Sequence, residues 1–292
     1  MNLLVFDFGG TSVKYGVWTE DKIFHSNNFP TPSSWTDLKV ILTDIKNTFA
    51  KDYTLDGVAF SFPGAVDSSS GIIHGLSAIP YIHEFPIKKQ LIELLNLPVS
   101  IENDANCAAL AEVWKGAAQD IENTLFIVIG TGVGGAVICN GKLQRGKHLY
   151  GGEFGFMVVD GEKTLSDLGT AVRLADRYCQ RLGVESTTYS GKDVFELADK
   201  QDPIAIEEVG IFYEAITIGL FNLQICFDPE VMVIGGGLSA NEGILNTMQE
   251  NLNKLMIKRG VTEFKAQLKP CKFRNGANLI GAVKNFLDEH QK

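Results

Sequence analysis

Residues 98–115, PVSIENDANCAALAEVWK, decide how the rest of the chain is read. Val99 to Ile101 alternates apolar and small residues as a short strand does. Ala105 to Trp114 is rich in Ala, Leu and Glu, with Cys107, Leu110, Ala111 and Trp114 on one helical face. Asn103 and Asp104 therefore fall where a strand ends and a helix begins, the usual ligand crevice of an α/β sheet. A carboxylate there can accept a proton from a substrate hydroxyl, with Asn103 holding the substrate by its amide. Asp and Asn are also favoured helix caps, a role that needs no ligand. The company these residues keep decides between the two readings.

Toward the N-terminus, Leu3 to Phe8 is an apolar run ending in Asp7-Phe8-Gly9-Gly10-Thr11, and Val13 to Trp18 resumes as a strand. The pattern predicts a β-hairpin whose turn brings bare backbone amides up to an anion. Asp7 beside such a turn suits Mg²⁺ held through water. A plain hairpin turn is the alternative. A third strand (Ile23 to Phe29), a helix (Trp35 to Ala50), a strand (Asp56 to Phe62) with a turn at Pro63-Gly64, and a helix (Phe85 to Leu95) complete this half.

Toward the C-terminus, LFIVIGTGVGGAVIC (Leu125 to Cys139) repeats the device: strand, Gly/Thr turn, strand. Gly130, Gly132 and Gly135 fit GxGxxG, but a dinucleotide site needs a helix after the glycines, and Gly135 to Cys139 is strand-like and stops at Asn140-Gly141. Two such hairpins suggest duplicated lobes that each present a phosphate-gripping turn to a shared cleft. Gln144 to Gly155 is a Gly-rich loop in which Glu153 can take ligand hydroxyls. Helices are expected at Leu168 to Leu182, Gly191 to Asp199 and Ile204 to Phe227, the last either central and buried or an oligomer face. Val231 to Ile234 is a strand running into Gly235-Gly236-Gly237, with a helix from about Glu242 to Ile257, a setting for a flat or anionic ligand. A last strand is expected at Lys265 to Leu268 and a last helix at Gly276 to Leu287.

Composition narrows the classes. The 292 residues are 45% hydrophobic and 21% charged, a globular make-up with ample core. A net charge of -9 argues against nucleic acid and anionic membrane surfaces as partners. The five cysteines stand singly, without CxxC spacing, as expected in a reducing cytoplasm. The first residues read as a strand and not a signal peptide, and no apolar run reaches membrane-spanning length.

With DFGGT (Asp7 to Thr11), ENDAN (Glu102 to Asn106), GTGVGG (Gly130 to Gly135) and GGGLS (Gly235 to Ser239) in this order, the chain resembles the ROK family of bacterial sugar kinases and sugar-responsive repressors over essentially its whole length. The resemblance implies a two-lobed actin-like, ribonuclease H-like α/β fold with a cleft between lobes. Residues 1–115 with 276–292 would form the smaller lobe and 116–275 the larger. It implies Asp104 as general base and Asn103, Glu153 and Gly64 as sugar-binding residues. Asp7, Gly9, Gly10 and Thr11 would form the first phosphate motif; Gly130, Thr131, Gly132 and Gly134 the second; Gly235, Gly236 and Gly237 the adenosine motif. ATP, Mg²⁺ (on Asp7, through water), a hexose or hexose glycoside acceptor, chemistry at its 6-hydroxyl, and a homodimer follow as expectations. The family's Glu-x-Gly-His step reads Glu153-Phe154-Gly155-Phe156 here, and Asp160 to Arg173 holds no Cys or His, so no structural zinc is expected. The second sugar-binding Glu is missing, with Asp167 as the nearest stand-in. Those groups lie near the anomeric side of the sugar in relatives, so their loss would admit a glycoside or disaccharide. A non-catalytic sugar sensor and an actin-like or chaperone-type ATPase are the competing readings. A repressor is disfavoured because a strand, not a helix-turn-helix, follows Met1. Lys115 to Asp120 and Lys272 to Gly276 are the expected hinges.

Overall fold

The computed structural model describes residues 1–273 and 276–290, so Arg274 and Asn275 of the second expected hinge, and the last two residues of the smaller expected lobe, lie outside the described residues. The chain divides into two compact units. The first comprises Met1–Gln119, Arg145–Tyr150 and residues 276–290, and the second Asp120–Gln144 and residues 151–273.

The first unit is built on strands β1 (Leu3–Phe8), β2 (Ser12–Thr19), β3 (Lys22–Pro30), β4 (Gly57–Phe62) and β7 (Val99–Asn103), in the order β3-β2-β1-β4-β7. β5 (Ala65–Asp67) and β6 (Ile72–His74) form a small hairpin. The helices are α1 (Trp35–Phe49), α2 (Ile87–Leu95), α3 (Asp104–Lys115) and the C-terminal helix, Ala277–His290. Strand periodicity sorts the core. Leu4, Phe6 and Phe8 of β1, with Phe60, Phe62 and Ile101, pack with α1 and α2 residues such as Leu38 and Leu91. Phe6 and Phe60 stack at 5.2 Å and Phe60 and Phe62 at 5.4 Å, each fully buried. Each ring contributes about 2–3 kcal/mol by burial. The other face takes Leu3, Val5 and Ala59 against Cys107 of α3 and Ala282, Val283 and Phe286 of the C-terminal helix.

The second unit repeats this plan with β8 (Thr124–Ile129), β9 (Val133–Cys139), β10 (Lys142–Leu143), β13 (Val231–Gly235) and β14 (Leu268–Pro270), ordered β10-β9-β8-β13-β14. Asn140 and Gly141 turn β9 into β10 with φ of 51° and 70°, as a two-residue hairpin loop requires. β11 (Val158–Asp160) and β12 (Lys163–Thr164) form a minor hairpin, followed by α4 (Leu165–Leu168), α5 (Ala171–Leu182), α6 (Gly191–Asp199), α7 (Pro203–Phe227) and α8 (Glu242–Lys258); with these placed, the C-terminal helix is α9. The helix expected at Leu168 to Leu182 is two. Gly169 ends α4, and the Thr170 hydroxyl caps α5 by accepting from Arg173 N. The strand expected at Lys265 to Leu268 lies later, because Leu268 to Pro270 find the edge of β13. α7 buries Phe212, Ile216, Leu220 and Leu223 in the core and leaves Ile206, Ile211 and Ile225 on the surface. Among the described residues, no helix is long and apolar enough to cross a membrane.

Candidate functional site

The parallel pairing of β1, β4 and β7 places Asp7, Ser61 and Glu102 in one row, and antiparallel β2 adds Lys14 opposite Asp7. All three residues lie out of step with the phenylalanines, so they face α3 and α9. Asp7 Oδ1 accepts from Ser61 Oγ at 3.0 Å and Asn278 Nδ2 at 2.9 Å, while Lys14 Nζ stands 3.9 Å from Oδ2. The carboxylate is thereby fixed in rotation. Beyond it, Gly9, Gly10 and Thr11 form the exposed turn between β1 and β2. The turn is braced by Gly9 N to Ser12 O at 3.0 Å and Thr31 Oγ1 to Gly9 O at 2.6 Å.

At the end of β7 the cap and the candidate base are different residues. Asn103 is the N-cap of α3: its Oδ1 accepts from Asn106 N at 3.1 Å, and its Nδ2 donates to Gly64 O at 3.0 Å. Asp104 is the first helical residue, half-buried, its Oδ1 accepting from Ala105 N at 2.8 Å. Gly64 holds a φ of 102°, a conformation that disfavours any side chain, and so carries its carbonyl to Asn103. Beneath them lies Glu102, fully buried. Its Oε1 accepts from Asn103 N and Asn106 Nδ2, each at 2.9 Å, and its Oε2 pairs with Arg145 through Nε at 2.8 Å and through Nη2. A buried carboxylate with four donors is a frame for the turn. Cys107, just below, has its thiol pushed well up by burial, with Glu102 and Asp7 adding to the effect, and stays protonated.

In the second unit Gly130, Thr131 and Gly132 form the exposed turn between β8 and β9, closed by Gly130 N to Gly132 O at 2.9 Å. Space around Gly130 is open. Gly134 lies inside β9, paired with Val128. Ser166 Oγ accepts from Val133 N at 2.9 Å and so anchors the turn to α4. Glu153 precedes a 3-10 turn (Phe154–Phe156) that packs onto β9, the Phe154 ring filling the place of a side chain on Gly135. The Glu153 carboxyl reaches solvent, yet desolvation raises it above the ordinary carboxylate range. Asp167 is engaged elsewhere. Its Oδ2 accepts from Thr164 N at 2.9 Å and Thr164 Oγ1 at 2.7 Å in a capping box, and these bonds hold its carboxyl low. Phe156, where the sequence departs from Glu-x-Gly-His, is exposed.

A cavity of about 850 Å³ in the same unit is lined by Gly130, Thr131, Val172, Lys192, Phe195, Glu196, Gly237 and Asn241, among others. It has the size and mixed apolar and polar lining of a small-molecule site. Of the three consecutive glycines, only Gly237 lines it. Gly235 is needed where the Phe126 ring crosses, and Gly236, at φ 88°, where Ile129 O approaches. Sequence reasoning missed Glu102, Arg145, Ser61, Asn278, Ser166 and the α6 residues. A Glu at the end of a buried strand and a lone Arg in a Gly-rich loop were readable signals; Asn278 and Ser166 offered none.

Known proteins share this fold and much of this sequence. The ROK family model matches residues 4–289. A β-glucoside kinase of Listeria innocua is 34% identical over 302 aligned residues, covering 100% of this chain and 99% of its own length. A ROK family protein from Streptococcus pneumoniae, solved in complex with sucrose, superposes with a TM-score of 0.90 at 33% identity over 100% of this chain and 99% of that one. A ROK family glucokinase from Streptomyces griseus, solved with glucose and AMPPNP, gives 0.78 at 25% identity over 97% and 98%. With these likenesses running the length of both units, the chain belongs to the ROK family, with its actin-like ATPase fold, and is an ATP-dependent sugar kinase.

Proposed function

We propose that the enzyme transfers the γ-phosphate of ATP to the 6-hydroxyl of a hexose or hexose glycoside, with Asp104 as general base. The division of labour at the start of α3 carries this reading: Asn103 takes the cap, so Asp104 is not needed for it. As the hydroxyl oxygen attacks phosphorus, its proton passes to the Asp104 carboxylate, the new O–P bond forms, and the bond from the γ-phosphorus to the ADP oxygen breaks. Gly64 and Asn103 would set the acceptor turn, and Glu153 would accept from sugar hydroxyls. The amides of Gly9, Gly10 and Thr11, and of Gly130, Thr131 and Gly132, would receive phosphate oxygens. Gly134 would act by keeping β9 slim behind its turn. The adenosine would occupy the cavity at Gly237, with Gly235 and Gly236 shaping its wall.

Asp7 fits a magnesium ion held through water: one carboxylate, fixed by Ser61 and Asn278, beside a phosphate turn. When bound, that ion would neutralise charge on the phosphates. The acceptor class follows from two supports. Two relatives at 34% identity are β-glucoside kinases, and the exposed Phe156 stands in the sequence where the family resemblance implies a histidine on the anomeric side, so that polar group is lost. Coupled ADP release measured on glucose, fructose, mannose, N-acetylmannosamine and a set of β-glucosides tests both parts. The expected result is turnover of β-glucosides at least as efficient as that of glucose. Strong preference for free glucose would remove the glycoside, and no sugar-dependent ADP release would remove the whole reading.

A further inference from the structure

Residues 74–84 form a strap in the first unit between β6 and α2. Glu84 closes its base: Glu84 N donates to Ile73 O at 2.9 Å, Oε1 accepts from Gly75 N at 3.0 Å, and Oε2 lies 3.1 Å from His74 Nδ1. Between these ends the strap passes both glycine positions of this unit's site. A Cβ on Gly10 would lie 2.6 Å from Cβ of Ala78, and one on Gly64 would lie 2.8 Å from Cε1 of His83. Gly64 is therefore seated against His83 and, at 3.1 Å, against Cγ2 of Ile73.

The ring is held from one edge. His83 Nε2 meets Ser77 Oγ at 2.7 Å, and Ser77 Oγ also accepts from Ile79 N at 3.2 Å, which orients the serine proton toward the ring. Nδ1 is buried without a hydrogen-bond partner. An orphan buried nitrogen costs stability, and a phenyl ring of the same outline would avoid that cost. Packing alone therefore does not account for histidine here. The Nε2 bond does: it sets the ring's angle, and the uncompensated Nδ1 comes with it.

We infer that His83 is a positioning residue for the acceptor sugar. Its ring seats Gly64, the Gly64 carbonyl receives Asn103 Nδ2 at 3.0 Å, and Asn103 fixes the start of α3 on which Asp104 stands. This rests on Asn103 and Asp104 forming the acceptor turn.

The test is His83→Phe, with Ser77→Ala as a second variant that keeps the ring and removes its partner. Steady-state kinetics and the Tm are read for both. His83→Phe is expected to melt no lower than wild type, to lose about tenfold to a hundredfold in kcat/KM for the sugar, and to keep the KM for ATP within about twofold. Ser77→Ala should fall the same way by less, and His83→Gln, which can still reach Ser77, should recover part of the loss. Sugar kcat/KM within about twofold of wild type in His83→Phe overturns the inference, as does a parallel rise in the KM for ATP. If His83→Phe does not fold, Ser77→Ala decides by the same criteria. A wild-type enzyme that released no ADP with any sugar would instead count against the functional reading.

Discussion

Glu102 is ionisable and has no exposed surface, and Arg145 is the cation that neutralises it. Arg145→Met leaves a buried, unpaired carboxylate, and the expected loss is about 3 kcal/mol in urea unfolding, with a fall in kcat as the Asn103 amide loses its fixed acceptor. Glu102→Gln combined with Arg145→Met should recover most of the stability; a double variant as unstable as the single one would contradict the pair's role. Glu153 carries a different signature. Desolvation raises its carboxyl above the ordinary value of 4.5, so the folded state binds that proton more tightly than the unfolded chain. The stabilisation this gives is fully present below the unfolded value and lost as pH rises through the folded one. Glu153→Gln should therefore raise the Tm at about pH 7 and change it little at about pH 4, with sugar affinity reduced. Equal Tm at the higher pH would contradict it. Asp104, Asn103 and Glu153 stood out as candidates because a strand-helix joint and a Gly-rich loop are local patterns. The setting of Asp7 was not, since its partners Ser61 and Asn278 lie 54 and 271 positions away.

Among the elements, the two glycine hairpins were read from sequence almost to the residue, because apolar runs flanking Gly and Thr leave little other choice. Elements whose limits depend on neighbours were not. α4 and α5 separate at Gly169 and Thr170, and β14 takes its register from Met232 pairing with Leu268. Within the glycine triplet, Gly235 and Gly236 serve ring packing and backbone approach inside the unit, which no local pattern announces. Helix packing gives a contrasting pair of predictions. α3 and α9 cross at Gly281, where a Cβ would enter the Cys107 carbonyl oxygen, so Gly281→Ala should cost about 3 kcal/mol or more. Gly210, exposed inside α7 with open space around it, should gain about 0.5–1 kcal/mol on replacement by alanine. Denaturant midpoints for the two variants check both; a neutral Gly281→Ala would mean that α9 can slide on α3.

For the whole molecule, each unit repeats one plan, a three-stranded antiparallel meander continued by two parallel strands; its Gly hairpin was visible twice in the sequence, whereas the fold itself was implied by the family resemblance. Composition added the exclusions: a net charge of -9 leaves phosphate binding to turn amides and a few cations instead of a basic surface. The acceptor was less legible, because the setting of Phe156 and that of the strap at residues 74–84 each come from packing within their own unit. The central claim is that one carboxylate, Asp104, takes the proton of the attacking hydroxyl. The direct measurement is the rate of sugar-dependent ADP formation by Asp104→Asn at saturating ATP and sugar, with sugar binding verified by calorimetry. Intact binding with kcat lowered by about 10²-fold to 10⁴-fold is expected. A kcat within a few-fold of wild type would contradict it.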